Sequence, residues 1–232
     1  MVVLEVIAAD LADALAADQY GADRMELVTG MMEGGLTPSY GLVKEVLAAV
    51  KIPVFVMVRP HSRSFVYGPE DVRTMLADIA MFRDLGAPGI VVGTLDEQRS
   101  IDRRTLELVL HAAEGMEVTF HRAFDEAADQ LASLDVLLQY PQITRILTSG
   151  GEKSAWMATE RLRQLVQRTE HTHLRIMAGS GLKVDDSLAA FLAETGVREV
   201  HFGSGVRVED SWLKPLDREK IGWIKRMESS KR

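Results

Sequence analysis

Eight short apolar runs, rich in β-branched residues, recur along this chain at fairly even intervals, and a segment with helical spacing follows nearly every one. The runs cover residues 2–7, 24–28, 54–58, 90–92, 117–121, 145–148, 174–178 and 199–202. Between them, apolar residues fall three and four apart over 11–17, 42–49, 72–85, 103–113, 131–138, 156–168 and 187–194, the spacing of an amphipathic helix. Gly21, Pro53, Gly86 and Gly196 stand where a chain leaves a helix and enters a strand. Short, mostly apolar strands suit a parallel sheet covered by helices on its outside. Strict alternation repeated eight times predicts an α/β fold, a single-domain TIM (β/α)8 barrel near its lower size limit. An open doubly wound sheet is the competing reading. It is weaker because no G-x-G-x-x-G follows the first run, and eight units are what closure requires. Residues 1–205 make up the barrel; 206–232 run past the eighth strand and are expected to form a C-terminal extension, a closing helix with a frayed Lys/Arg/Ser tail.

Composition narrows the class. With 232 residues, 47% of them hydrophobic, the chain can bury one large core. A net charge of -7 without a basic block argues against a nucleic-acid surface. The first residues lack a basic segment followed by an apolar one, and no apolar run reaches membrane-spanning length, so a cytoplasmic protein is expected. Cysteine is absent, which removes disulfides, thiolate nucleophiles and every cysteine-based metal site.

A barrel of this kind gathers its chemistry at the C-terminal ends of its strands. Those positions carry Glu5, Glu26, Arg59, His121 with Arg122 and Asp125, Thr148-Ser149-Gly150, Gly179-Ser180-Gly181, and His201 before Gly203-Ser204-Gly205. Glu5 and Glu26 sit inside apolar strands, which suits either ions paired to Arg59 or backbone, or a shared polar site with a general acid or base. His121 and His201 are the residues best suited to moving protons near neutrality. Alternation sends His121 and Arg122 opposite ways unless the strand ends at Phe120. Asp125 is read first as a cap for the following helix, with Glu126 in its first turn. Gly179-Ser180-Gly181 and Gly203-Ser204, after the seventh and eighth strands, let backbone N–H groups approach an anion, with Arg59, Arg122, Ser149 and Gly150 as further anion-binding candidates. Thr37 before Pro38 reads as a helix N-cap, and the basic and aromatic loop 61–68 as a mouth cover or a subunit contact.

The motifs Leu4-Glu5-Val6, Gly21-Ala22-Asp23-Arg24-Met25-Glu26-Leu27, Glu33-Gly34-Gly35-Leu36-Thr37-Pro38-Ser39, Val58-Arg59-Pro60, Thr119-Phe120-His121-Arg122-Ala123-Phe124-Asp125, Ile146-Leu147-Thr148-Ser149-Gly150 and Val197-Arg198-Glu199-Val200-His201 resemble the CutC family, in collinear order from residue 1 to about 205. The resemblance implies a TIM barrel, a copper-homeostasis role with copper as the metal, a cytosolic location and a homodimer or higher homo-oligomer. Relatives often carry cysteine where this chain has Ala8, Val28 and Val66. Cu(I) prefers thiolate or thioether, so the remaining donors are 11 methionines, Met31-Met32 being the adjacent pair, and six histidines. His171 and His173 precede a strand, at the opposite end of the barrel from the other candidates. Three functions compete: copper handling; a lyase or isomerase acting on a small anionic, phosphorylated, carbohydrate-like substrate by Glu/His acid–base chemistry; and an oligomeric scaffold or sensor with a vestigial pocket.

Overall fold

The structure is a computed structural model that describes residues 2–229. Eight parallel strands close on themselves in the order in which they occur in the chain. They are β1 (Val3–Ala8), β2 (Arg24–Leu27), β3 (Val54–Met57), β4 (Gly89–Val92), β5 (Glu117–Phe120), β6 (Ile143–Thr148), β7 (Arg175–Ala178) and β8 (Glu199–Phe202). The helices between them are α1 (Leu11–Tyr20), α2 (Tyr40–Ala49), α3 (Pro69–Asp84), α4 (Arg103–Ala112), the single turn α5 (Ala123–Glu126), α6 (Gln130–Leu137), α7 (Thr159–Thr169) and α8 (Ser187–Thr195), with α9 (Arg218–Ser229) after β8. The barrel expected from the alternation is the barrel observed.

Local signals account for most element ends. Asp10, Ser39, Asp102 and Asp129 accept hydrogen bonds from N–H groups of the helices they precede. Gly21 and Gly196 end α1 and α8 in the left-handed conformation. Three expectations are corrected. Thr37 is no cap: α2 starts at Tyr40, and the Thr37 hydroxyl accepts from the Arg59 N–H at 2.9 Å. The helix expected from residue 156 is a 3-10 turn, Ala155–Met157, followed by α7. Residues 206–217 are more than a lead into a closing helix. They fold back in short turns, pinned by Arg207, whose guanidinium is ion-paired to Asp13 at 2.5 Å, before α9 packs on α1. Residues 230–232, at the end of the expected tail, lie outside the described residues.

Two-residue alternation divides the apolar residues into two sets. Leu4, Val6, Ala8, Met25 and Leu27 belong to the large core shared with the helices, whereas Ile7, Val28, Phe55, Met57 and Val91 form a separate cluster inside the barrel. Beneath that cluster, at the N-terminal end, the interior is filled by ions. Arg24 bonds Glu199 at 2.8 Å, Arg145 bonds Glu117 at 2.8 Å and approaches Glu199 at 3.4 Å, and both guanidinium groups lie over the Phe55 ring, at 5.4 and 4.7 Å. This plug seals the floor and leaves the open space at the C-terminal mouth.

Candidate functional site

Barrel closure brings the ends of the chain together. In register, Glu5 pairs with Arg24 on one side and with His201 on the other, and Ile7 pairs with Glu26. Glu5 is fully buried; one carboxylate oxygen accepts from Arg24 Nε at 2.5 Å and the other meets His201 Nδ1 at 2.7 Å. On the far side of the imidazole, Nε2 stands 3.8 Å from the Glu26 carboxylate. Burial acts to raise the Glu5 carboxyl, but Arg24 and His201 outweigh it and hold the group down at about 2. Burial also dominates at Glu26: it outweighs the nearby His201, which acts to lower this carboxyl, and with Glu5 close by pushes it up to about 7. For His201 burial disfavours charge, yet Glu26 and Glu5 prevail and its basicity rises. Of the alternatives left open for these carboxylates, pairing to Arg59 is not the one that forms at Glu5. Arg24 does that work, and alternation would have placed it on the inner face two residues before Glu26.

Arg59 instead braces the loop after β2. Its Nη1 donates to the carbonyls of Glu33, Gly34 and Gly35 at 3.1–3.2 Å, while its Nε is buried with no partner among the described residues. The guanidinium lies 4.7 Å over the Phe65 ring, and Phe65 in turn packs 4.9 Å from the His121 ring. Phe65 and the buried Tyr67 thus turn the loop 61–68 in toward the mouth.

Strand β5 ends at Phe120, and both His121 and Arg122 reach the cavity wall. The His121 ring lies across β4, where a Cβ on Gly93 would come within 2.4 Å of Nδ1; only glycine leaves that space. Nδ1 accepts from the Ala123 N–H at 3.1 Å, so the neutral ring carries its proton on Nε2, which is buried and has no partner among the described residues. Burial, with Arg59 and Arg122 close by, pushes the basicity of His121 down to about 3. This geometry suits a fixed N–H donor better than the proton shuttle expected of it.

Asp125 is not a helix cap. Its carboxylate crosses to the loop after β6, accepting from the Thr148 hydroxyl, from the Ser149 N–H at 3.0 Å and from the Gly151 N–H at 3.1 Å, and it pairs with Arg122 at 2.9 Å. Ser149 is consumed in that anchor, with its hydroxyl 2.6 Å from the Glu152 carbonyl oxygen. The glycines after β7 and β8 also have packing reasons. A Cβ on Gly179 would meet Leu147 at 2.5 Å, and one on Gly203 would meet Trp212 at 2.3 Å. Ser180 holds a left-handed backbone (φ 77°) and donates its hydroxyl to the Lys153 carbonyl at 3.0 Å.

The resulting cavity measures about 500 Å³, an ordinary size for a small-molecule site. Of the residues predicted from sequence, Glu26, Arg59, His121, Arg122, Ser180, Gly181, His201, Gly203 and Ser204 line it. Glu5 lies behind His201, and Ser149, Gly150 and Gly179 are not among the lining residues. Sequence reasoning missed the apolar wall of Ile7, Met57, Leu147 and Trp212, which Phe65 of the loop 61–68 completes. Alternation on β1, β3 and β6 could have found Ile7, Met57 and Leu147; nothing local marks Trp212. Glu5, Glu26 and His201 also form a buried cluster whose ligand-type atoms lie within 4.8 Å of one another.

Comparison with known proteins gives one consistent answer. Residues 2–206 match the model of the CutC family. A CutC family protein of Enterobacter sp. (strain 638) is 42% identical over 205 residues, covering 88% of this chain and 81% of that protein. One from Pasteurella multocida is 39% identical over 208 residues, 89% of this chain and 84% of its own length. Among solved structures, the copper homeostasis protein CutC of Streptococcus agalactiae superposes with a TM-score of 0.81 at 33% identity, covering 88% of this chain and 98% of that one. A phosphoribosyl anthranilate isomerase from Thermococcus kodakaraensis, with a TM-score of 0.64 at 15% identity over 98% of this chain and 99% of its own, shares the fold alone.

Proposed function

The chain belongs to the CutC family, and on that premise we propose that it serves copper homeostasis, the role for which the Streptococcus agalactiae relative is named, with the metal as cargo at the barrel mouth. The observation that carries this reading is the Glu5–His201–Glu26 line. Glu5 holds Nδ1 of His201 at 2.7 Å, which directs the Nε2 lone pair toward Glu26, itself bearing a buried oxygen without a partner among the described residues. A carboxylate behind an imidazole is the usual support of a metal-binding histidine. Both Glu5 oxygens are engaged, so His201 Nε2 and Glu26 are the ligands and Glu5 orients. Imidazole and carboxylate suit Cu(II) better than Cu(I); the soft donors on the same wall are the thioethers of Met31 and Met57. Without cysteine, Cu(I) thiolate binding is not part of this reading.

Titration of chelator-stripped protein tests it. One Cu(II) per chain is expected, with spin-resonance coupling to a single imidazole nitrogen, and both are expected to vanish in His201→Gln and weaken in Glu26→Gln. Sub-stoichiometric binding, or binding indifferent to both changes, would sink the proposal. Among the described residues no helix is long and apolar enough to cross a membrane. As part of the same proposal the protein works in the cytoplasm as a homo-oligomer, and light scattering on the intact chain is expected to give a mass above 25.7 kDa. A second reading, a lyase or isomerase, draws on Glu26, whose carboxyl at about 7 matches a general acid or base at physiological pH. Proton exchange into small hydroxycarbonyl compounds, lost in Glu26→Gln, would favour it over copper handling.

A further inference from the structure

Two buried donors on the cavity wall have no acceptor among the described residues, and neither belongs to the metal ligands named above. They are His121 Nε2–H and Arg59 Nε–H; the buried Tyr67 hydroxyl, also unpaired in geometry, is the neighbouring group that interacts with Arg59. Both are held firmly in place. Arg59 is clamped by three carbonyls through Nη1, and His121 by the Ala123 N–H and by the room that Gly93 leaves. Phe65 packs against both, at 4.7 and 4.9 Å, and fixes their spacing. A buried N–H left unpaired costs about 1–3 kcal/mol, and native proteins rarely leave such groups without a partner, water or ligand to explain them. The opposite wall adds more donors. Ser180, Gly181, Leu182, Gly203 and Ser204 line the same cavity, and among the described residues the backbone N–H groups of Ser180, Gly181, Leu182 and Gly203 donate no hydrogen bond within the chain. Arg122, whose side chain is 45% exposed, stands at the rim.

From this arrangement we propose that the mouth is a binding site for a small organic oxyanion. One oxygen of the ligand accepts from His121 Nε2–H and Arg59 Nε–H, and a second anionic group accepts from the backbone N–H groups after β7 and β8. These donors favour acceptor-rich ligands, either carboxylates or phosphate esters, although Glu26, Glu33, Asp125 and Glu126 also line the cavity, with Asp125 paired to Arg122 and Glu33 bonded by the Ser62 hydroxyl. The neutral imidazole matters here: a ring locked with its proton on Nε2 donates at every physiological pH, so binding does not fade as a histidinium titrates. The apolar strip of Ile7, Met57 and Trp212 leaves room for a short carbon body between the two donor sets.

The test reads the donor directly. In 15N-labelled, metal-stripped full-length protein, the Nε2 resonance of His121 is followed while inorganic phosphate, glycolate or 2-phosphoglycolate is added. A saturable shift is expected with 2-phosphoglycolate, and the single-group probes separate the phosphate arm from the carboxylate arm. His121→Phe keeps the ring and removes the donor, and it should weaken that binding roughly tenfold or more, the range for a hydrogen bond to a charged group. The change also takes away Nδ1 and leaves the Ala123 N–H without its acceptor, so the ligand-free variant is expected to melt somewhat lower than wild type, and a single cooperative melt with an unchanged amide spectrum away from residues 121–123 separates a binding defect from misfolding. Any of three results would overturn the proposal: no shift with any probe at millimolar concentration, equal affinity in His121→Phe, or an ordered water only, retained on Nε2 when the probe is present.

Discussion

Replacing Glu26 by glutamine should stabilise this protein, and should do so only as the pH rises. Glu26 is 3% exposed, and burial lifts its carboxyl from 4.5 to about 7. Between those values the folded chain binds a proton that the unfolded chain has released, so wild-type stability falls as pH climbs through the window and the full penalty is present above about 7. A shift of that size corresponds to about 3 kcal/mol at roughly 1.4 kcal/mol per unit. Glutamine has the same shape and does not titrate. Glu26 is the first of the groups that raise His201, so its loss lowers the imidazole and gives part of the gain back. The expected advantage is therefore near zero below about pH 4 and about 2–3 kcal/mol at about pH 9. For a chain of this length that is a melting-temperature gap of roughly 5–10 °C. Melts of both proteins across the range, with chelator present, read it directly, and the His201 ring protons should titrate lower in the variant. A gap that does not change with pH, or a wild type that gains on the variant as pH rises, would refute the assignment of burial as the cause.

The ion plug gives a second expectation. Arg24→Met strands the fully buried Glu5 and deprives Glu199 of a partner, so urea unfolding should show a loss of about 3–5 kcal/mol, and adding Glu5→Gln should restore part of it; a double variant no better than the single one would show that the pair is not coupled. Gly93→Ala drives a methyl into the His121 ring, an overpacking of about 1–3 kcal/mol. It should also move the His121 Nδ1 resonance as the Ala123 hydrogen bond breaks, and an unchanged spectrum would mean that the ring is not held as described.

Much of this protein is legible along the chain. Eight apolar runs alternating with helical spacing determine the barrel, because a parallel sheet must be covered and each strand must return through a crossover. Motif order alone points to the family. Two-residue alternation sends Glu5, Glu26 and His201 inward, since successive side chains on a strand take opposite faces. Only the closed barrel decides which of them meet. Glu5 and His201 are 196 positions apart and touch because β1 and β8 pair in register, a relation that local pattern does not encode. For the same reason local pattern does not show that Arg24 rather than Arg59 pairs with Glu5, or that the Asp125 carboxylate binds the loop after β6 instead of capping a helix. The tautomer of His121, the room supplied by Gly93 and the arrival of Trp212 at the mouth are tertiary facts as well. Each depends on a contact between different strands and loops, where packing rather than local propensity selects the geometry.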